Sequence, residues 1–174
     1  MQSDVQIRAF GEADLDELER LYPAAFPQEE LRPLVRELSD ASEDVVAWVA
    51  ELKGTVMGHI AFARCAVGNL PNVYLLGPLA VTPQHQRKGV GKALIAFGLA
   101  DLRERNASHV YVLGDPNYYG RHGFKSERTV SPPFELPAQW DGAWQSIALS
   151  GDVAASKGTL LVPPVWEKPE LWSD

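Results

Sequence analysis

At 174 residues, 45% hydrophobic and 22% charged, the chain has the size and composition of one ordinary globular domain. Its 16 basic and 23 acidic residues leave a net charge of −7, which removes the electrostatic footprint that a nucleic-acid backbone demands of a partner. One cysteine, Cys65, leaves no internal disulfide, and neither a secretory core in MQSDVQIRAF nor an apolar run of membrane-spanning length is present, so the expectation is a cytoplasmic protein with no membrane partner.

Gln6 to Phe10 reads as a short strand. Helix-start signals at Gly11 to Asp14 follow, with Leu15, Leu18, Leu21 and Tyr22 recurring at helical spacing. A second helix is predicted from about Glu30 to Leu38, with Leu31, Leu34, Val35 and Leu38 on one face and Pro33 accommodated in its first turn. Val45 to Leu52 and Thr55 to Val67 are apolar, β-branched runs joined at Lys53-Gly54, the pattern of a hairpin.

After a loop over Gly68 to Pro71, Val73 to Val81 reads as a buried strand. Gly77-Pro78 predicts a break or bulge in it, because proline cannot donate to a ladder. From Gly89 to about Arg105, Val90, Leu94, Ile95, Gly98, Leu99 and Leu102 form one helical stripe, and His109 to Leu113 is a short apolar strand. Strand, glycine loop, helix and strand make a βαβ unit, whose two strands run parallel. Beyond Phe124 the sequence turns rich in proline and tryptophan, with one strand predicted near Ser146 to Leu149. No repeat or long linker divides the chain, so the expectation is a domain over 1–150 with a tail over 151–174 packed on it.

The chemistry concentrates in one stretch, Leu79-Ala80-Val81-Thr82-Pro83-Gln84-His85-Gln86-Arg87-Lys88-Gly89-Val90-Gly91-Lys92-Ala93-Leu94. Two glycines stand where a loop turns into a helix. Glycine admits φ > 0 and close approach of the backbone, and a helix N-terminus directs free N–H groups outward, which together suit phosphate. Arg87, Lys88 and Lys92 add positive charge in an otherwise acidic chain. Neither common nucleotide motif is present: there is no GxxxxGK[ST], and Leu94 stands where GxGxxG needs its third glycine.

Gln86-x-x-Gly89-x-Gly91 resembles the acetyl-CoA pyrophosphate loop of the GCN5-related N-acetyltransferase (GNAT) superfamily. The preceding Leu-Ala-Val-x-Pro is similar to that family's fourth strand, and Tyr119-Gly120-Arg121-His122-Gly123-Phe124 resembles its Tyr-x-x-x-Gly-Phe. The run Leu113 to Tyr119 is similar to the branch known as the YhbS-like predicted N-acetyltransferases. The resemblance covers Leu75 to Phe124 by motif and the chain from residue 5 to about 150 by element order.

The resemblance implies an α/β (α+β) acyl-CoA N-acyltransferase fold: a mixed, mainly antiparallel central sheet, helices on both faces, and parallel strands four and five splayed apart. It implies an acyltransferase using acetyl-CoA (coenzyme A) as acyl donor, with pantetheine along Leu79, Ala80 and Val81. Pyrophosphate would lie on Gln86, Arg87, Lys88, Gly89, Val90, Gly91, Lys92 and Ala93. The N–H of Ala80 or Val81 would face the thioester oxygen and stabilise charge developing there. Tyr119 matches the family's general acid, and a phenol suits protonation of a thiolate because the two pKa values, about 10 and 8.5, are comparable. Asn117 either bonds pantetheine or caps the helix that Tyr119 enters, and Tyr118 is the core residue of the pair. Proximity of the amine to the thioester supplies much of the remaining rate.

The general base is open: the strand Val73 to Val81 holds no carboxylate, and Glu51, His59 and Asp115 are the candidates, alongside ordered water. Cys65 is read as core and the histidines 59, 85, 109 and 122 lack metal-ligand spacing, so no metal is expected. Trp140, Trp144, Trp166 and Trp172 are read as packing residues. The acceptor is a small-molecule amine or a protein or peptide amine, and the assembly a monomer or homodimer. A non-catalytic acyl-CoA-binding module is the rival reading.

Overall fold

The computed structural model describes residues 4–41, 43–151 and 157–173. In chain order its strands are β1 (Val5–Ala9), β2 (Val45–Leu52), β3 (Thr55–Val67), β4 (Leu70–Val81), β5 (His109–Leu113), β6 (Lys125–Ser126), β7 (Val130–Ser131), β8 (Trp144–Ala148) and β9 (Gly158–Thr159). The α-helices are α1 (Leu15–Ala25), α2 (Arg32–Asp40), α3 (Val90–Glu104) and α4 (Pro116–Tyr119). The residues fall into two compact units, one from the chain up to Phe62 with Pro78–Ala100, the other from Ala63–Gly77 with the chain from Asp101 onward.

In the first unit β1 lies antiparallel to β2, from Val5 opposite Leu52 to Ala9 opposite Trp48. β2 and β3 are joined by Lys53 (φ 51°) and Gly54 (φ 82°), the two consecutive left-handed residues that match a tight hairpin to the strand twist. Leu18, Leu21 and Tyr22 of α1 and Val35 of α2 form a core cluster with Val49, Val56 and Ala80. Pro33 occupies the first turn of α2, as expected. α1 carries Pro23 in its last turn, just ahead of the closing bond from Phe26 N to Tyr22 O.

In the second unit β4 runs parallel to β5, with Val73 opposite His109 through Leu76 opposite Val112. β5 then pairs antiparallel with β8, and β8 with β6, giving the order β4-β5-β8-β6. By alternation along the strands Leu75, Tyr111, Leu113 and Trp144 share one face, and Tyr111 stacks on Trp144 at 5.7 Å. The tail continues that aromatic layer. Trp172 packs against Trp144 and Trp166, and all three are at most 9% exposed. Two of these indoles donate to backbone carbonyls, Trp144 to Val130 and Trp172 to Trp166. Trp140 is half-buried.

Several boundaries differ from the sequence reading. β4 begins at Leu70, so the expected loop over Gly68 to Pro71 shrinks to the turn at Gly68 and Asn69. The expected break at Gly77-Pro78 is not a break in β4, which is continuous to Val81. Its rungs to β5, however, cover only Val73 to Leu76, ending at the residue before Gly77. β6, β7 and β9 were not anticipated: at two residues each they carry no periodicity to read. Part of the predicted tail, 152–156 and 174, lies outside the described residues.

Candidate active site

The loop between β4 and α3 is built in three steps. Thr82 N bonds back to Met57 O at 2.9 Å, and the Thr82 hydroxyl shares a 2.8 Å hydrogen bond with His85 Nδ1. A short helical turn over Pro83–His85 follows. The Gln86 side chain then donates to Val81 O at 2.9 Å, so its amide clamps the end of the strand while its backbone enters the loop.

Arg87 (φ 63°) and Gly89 (φ 84°) are both left-handed, and only at Gly89 is that conformation free of a Cβ penalty. Alternation of handedness turns successive backbone N–H groups toward one concavity, a shape that suits anions. Ala93 N bonds Gly89 O at 3.0 Å, which makes Gly89 the residue that precedes the first turn of α3. Glycine brings no capping side chain, so the N–H groups of Val90, Gly91 and Lys92 have no such internal partner. Arg87, Lys88 and Lys92 are exposed and make no hydrogen bond or ion pair among the described residues. Leu79 and Val81 are half-buried on β4, and Ala80 is buried in the core cluster.

In the other unit, Asp115 caps α4 by accepting from Asn117 N at 2.9 Å. Asn117 is therefore held as a capped residue, with its side chain exposed. Tyr119 ends α4 and packs edge-on against Tyr118 at 5.0 Å and Phe124 at 5.7 Å. A Cβ on Gly114 would stand 2.4 Å from Tyr119 Cε2, so glycine there makes the room this ring occupies. Burial raises the Tyr119 phenol above its ordinary range, with Tyr118 adding to the effect. The group stays protonated at neutral pH, the state an acid needs. Tyr118 is half-buried like Tyr119, so the expected division into core and catalytic tyrosine is not one of burial.

The three candidate bases each have a structural partner. Glu51 accepts from Arg8 Nε at 2.9 Å, in a network that Arg8 extends to Asp14. Asp115 is the α4 cap. His59 is 3% exposed, shares a 2.6 Å hydrogen bond with the Tyr22 hydroxyl, and is held by desolvation at a pKa of about 3. Such a nitrogen is too weakly basic to take a proton from an ammonium. Cys65 is a buried core residue whose thiol burial pushes up to about 12, far from a nucleophilic thiolate. Among the described residues no cluster of His, Cys, Asp and Glu side chains is arranged to hold a metal ion, and no helix is long and apolar enough to cross a membrane.

Residues 15–124 match the family model described as "Acetyltransferase (GNAT) family". The chain is 32% identical over 156 residues to an uncharacterized N-acetyltransferase, YjhQ, of Escherichia coli K12, a match covering 84% of this chain and 77% of that one. It is 28% identical over 131 residues to the uncharacterized N-acetyltransferase YhbS of the same organism, covering 74% and 76%. The crystal structure of Escherichia coli YhbS in complex with CoA shares the fold at a TM-score of 0.85 and 24% identity, over 97% of this chain and 94% of that one. A GNAT family acetyltransferase from Brucella melitensis, solved in complex with acetyl-CoA, aligns at a TM-score of 0.74 and 29% identity, over 95% and 100%.

Proposed function

We infer, from the premise that this chain belongs to the acetyltransferase (GNAT) family, that it transfers the acetyl group of acetyl-CoA to an amine by direct attack on the thioester. The observation that carries the reading is the start of α3: a left-handed Arg87, a left-handed Gly89 and a 15-residue helix whose first turn has no capping side chain. That arrangement offers several N–H donors and a favourable helix dipole to a diphosphate.

On this reading Gln86 to Ala93 hold the pyrophosphate, with Arg87, Lys88 and Lys92 supplying charge around it. Leu79, Ala80 and Val81 present backbone groups to the pantetheine arm. Because Val81 O already accepts from Gln86, the pairing falls to the remaining groups of that segment. Tyr119 is the acid of this reading and gives its proton to the departing sulfur, with Asn117 as a further pantetheine contact. The acceptor arrives as the free amine or loses its proton to water, since none of Glu51, His59 and Asp115 is an unengaged base. The tail from 151 completes the same catalytic domain, and the protein acts in the cytoplasm on a small-molecule or peptide amine. Titration calorimetry with acetyl-CoA, joined to a thiol-release assay over a panel of amines, tests the proposal. Absence of binding at millimolar acetyl-CoA ends it, and binding without thiol release for any amine favours a non-catalytic acyl-CoA-binding module.

A further inference from the structure

Outside these residues the second unit carries a cleft of about 460 Å³, a volume suited to a small molecule. Pro132, Pro133, Phe134 and Leu136 form its apolar wall, all of them half-buried, and Ser131 and Thr159 close it from the two-stranded sheet that pairs β7 with β9. Glu135 is the one charged side chain in the lining. It is exposed and makes no hydrogen bond or ion pair among the described residues.

A neighbouring carboxylate shows what a structural acid looks like here. Glu127 accepts from Ser146 Oγ, Thr129 N, Thr129 Oγ1 and Val130 N, and so fastens β6, β7 and β8 together. Glu135 carries the same group, eight residues on, with none of those duties. A carboxylate in one lining with an aromatic ring and a proline wall complements one chemistry, a cation on an apolar body: the charge pairs with the carboxylate, and the Phe134 ring and the prolines take the hydrocarbon. Anions and neutral polar molecules gain nothing from the same lining.

We propose that this cleft is a binding site for a small organic ammonium ion with an apolar or aromatic body, held by Glu135 and Phe134. The site goes beyond the acetyl-transfer reading and does not depend on it. Its affinity is modest, since an exposed ion pair and a cation–π contact are each weak in water.

The test uses the full chain and three probes that carry a phenyl ring on a short chain: phenethylammonium, 2-phenylethanol and phenylacetate. Binding is followed by NMR shifts of the backbone amides around Ser131, Phe134 and Thr159. The expected order is cation, then neutral alcohol, then anion. Glu135→Gln, a surface change that leaves the fold intact, is expected to weaken the cation about 3-fold and leave the alcohol unchanged, while Phe134→Ala weakens both. Equal binding of the three probes, no response to any of them, shifts confined to other residues, or an unchanged cation affinity in Glu135→Gln would each overturn the proposal. The same samples are titrated with acetyl-CoA. A protein that binds phenethylammonium here but not acetyl-CoA would end the acetyl-transfer reading and leave this site standing.

Discussion

The ring of Trp166 lies 3.3 Å, at both Cζ2 and Cη2, from the point where a Cβ on Gly77 would project. Gly77 (φ 154°) directly follows the last rung of the parallel pair, Leu76 opposite Val112. The tail tryptophan thus occupies the space that a missing side chain leaves at the end of that ladder. Because Trp166 is buried and Trp172 donates to its carbonyl oxygen, the ring cannot swing away without unpacking the aromatic layer.

Gly77→Ala is therefore expected to destabilise the protein by about 1–3 kcal/mol, from crowding against the ring together with a Cβ placed at φ 154°. Urea unfolding measures it. In a Trp166→Ala background the added methyl finds room, so the two substitutions should be non-additive, with a coupling of at least about 0.5 kcal/mol. Strict additivity would mean that the cost lies in the backbone conformation at φ 154° and not against the ring.

This relationship also shows where the sequence stops being legible. Leu18, Leu21, Tyr22 and the stripe of α3 announced their helices because apolar residues recur at the helical period, and β2, β3 and β5 did so as apolar runs with clear boundaries. The turn into α3 was legible because Gly89 marks a left-handed backbone position, whereas Gly91 already lies inside the helix with no positive φ. The left-handed Arg87 was not legible, since any residue type can be forced there by its neighbours. Gly77-Pro78 signalled a disturbance, but whether it breaks the strand or only one of its ladders depends on which element lies alongside, and a tail ninety residues away decides what covers it. Likewise Glu51, His59 and Asp115 looked equivalent as bases until their partners, Arg8, Tyr22 and Asn117, were located by the fold.

Tyr119→Phe keeps the ring that packs on Tyr118 and Phe124 and removes only the hydroxyl. If the phenol is the acid, turnover should fall by about 10²-fold or more while acetyl-CoA affinity stays within about 2-fold. Since burial raises the phenol above its ordinary pKa, its ionisation should not limit the wild-type rate below about pH 10. A variant with undiminished turnover would leave Tyr119 as a packing residue.

Gly89→Ala places a Cβ on a residue at φ 84°, a conformation that costs an L-residue about 1–2 kcal/mol. Should the loop relax to escape that cost, the N–H groups at the start of α3 lose their alignment. The expected result is acetyl-CoA binding weakened about 10-fold, with turnover unaffected at saturating donor, read from calorimetry and initial rates. Lys92→Ala should weaken binding less and in a salt-dependent way, because it removes screened charge rather than backbone geometry. Equal affinity of Gly89→Ala and wild type would place the diphosphate elsewhere.

His59 gives the protein a pH dependence that can be signed in advance. It is buried among Phe10 and Tyr22 and held neutral, with its folded-state pKa lowered to about 3 from 6.5. Between those values the unfolded chain binds a proton at this site and the native state does not, so stability is fully present above about pH 6.5 and declines as pH falls toward 3. The slope from one such group approaches about 1.4 kcal/mol per pH unit. Asp14, held below its ordinary range chiefly by Arg8, contributes to the same acid loss at lower pH, and His109, also lowered by burial, contributes in the interval from 6 to 4.5, so the part due to His59 is the difference between wild type and a His59 variant. Urea unfolding across that interval should show the slope in the wild type and a shallower one in His59→Gln, whatever the variant's stability at pH 7. Parallel pH profiles for the two proteins would mean that the imidazole is protonated inside the fold, and that its hydrogen bond to Tyr22 is made by a cation.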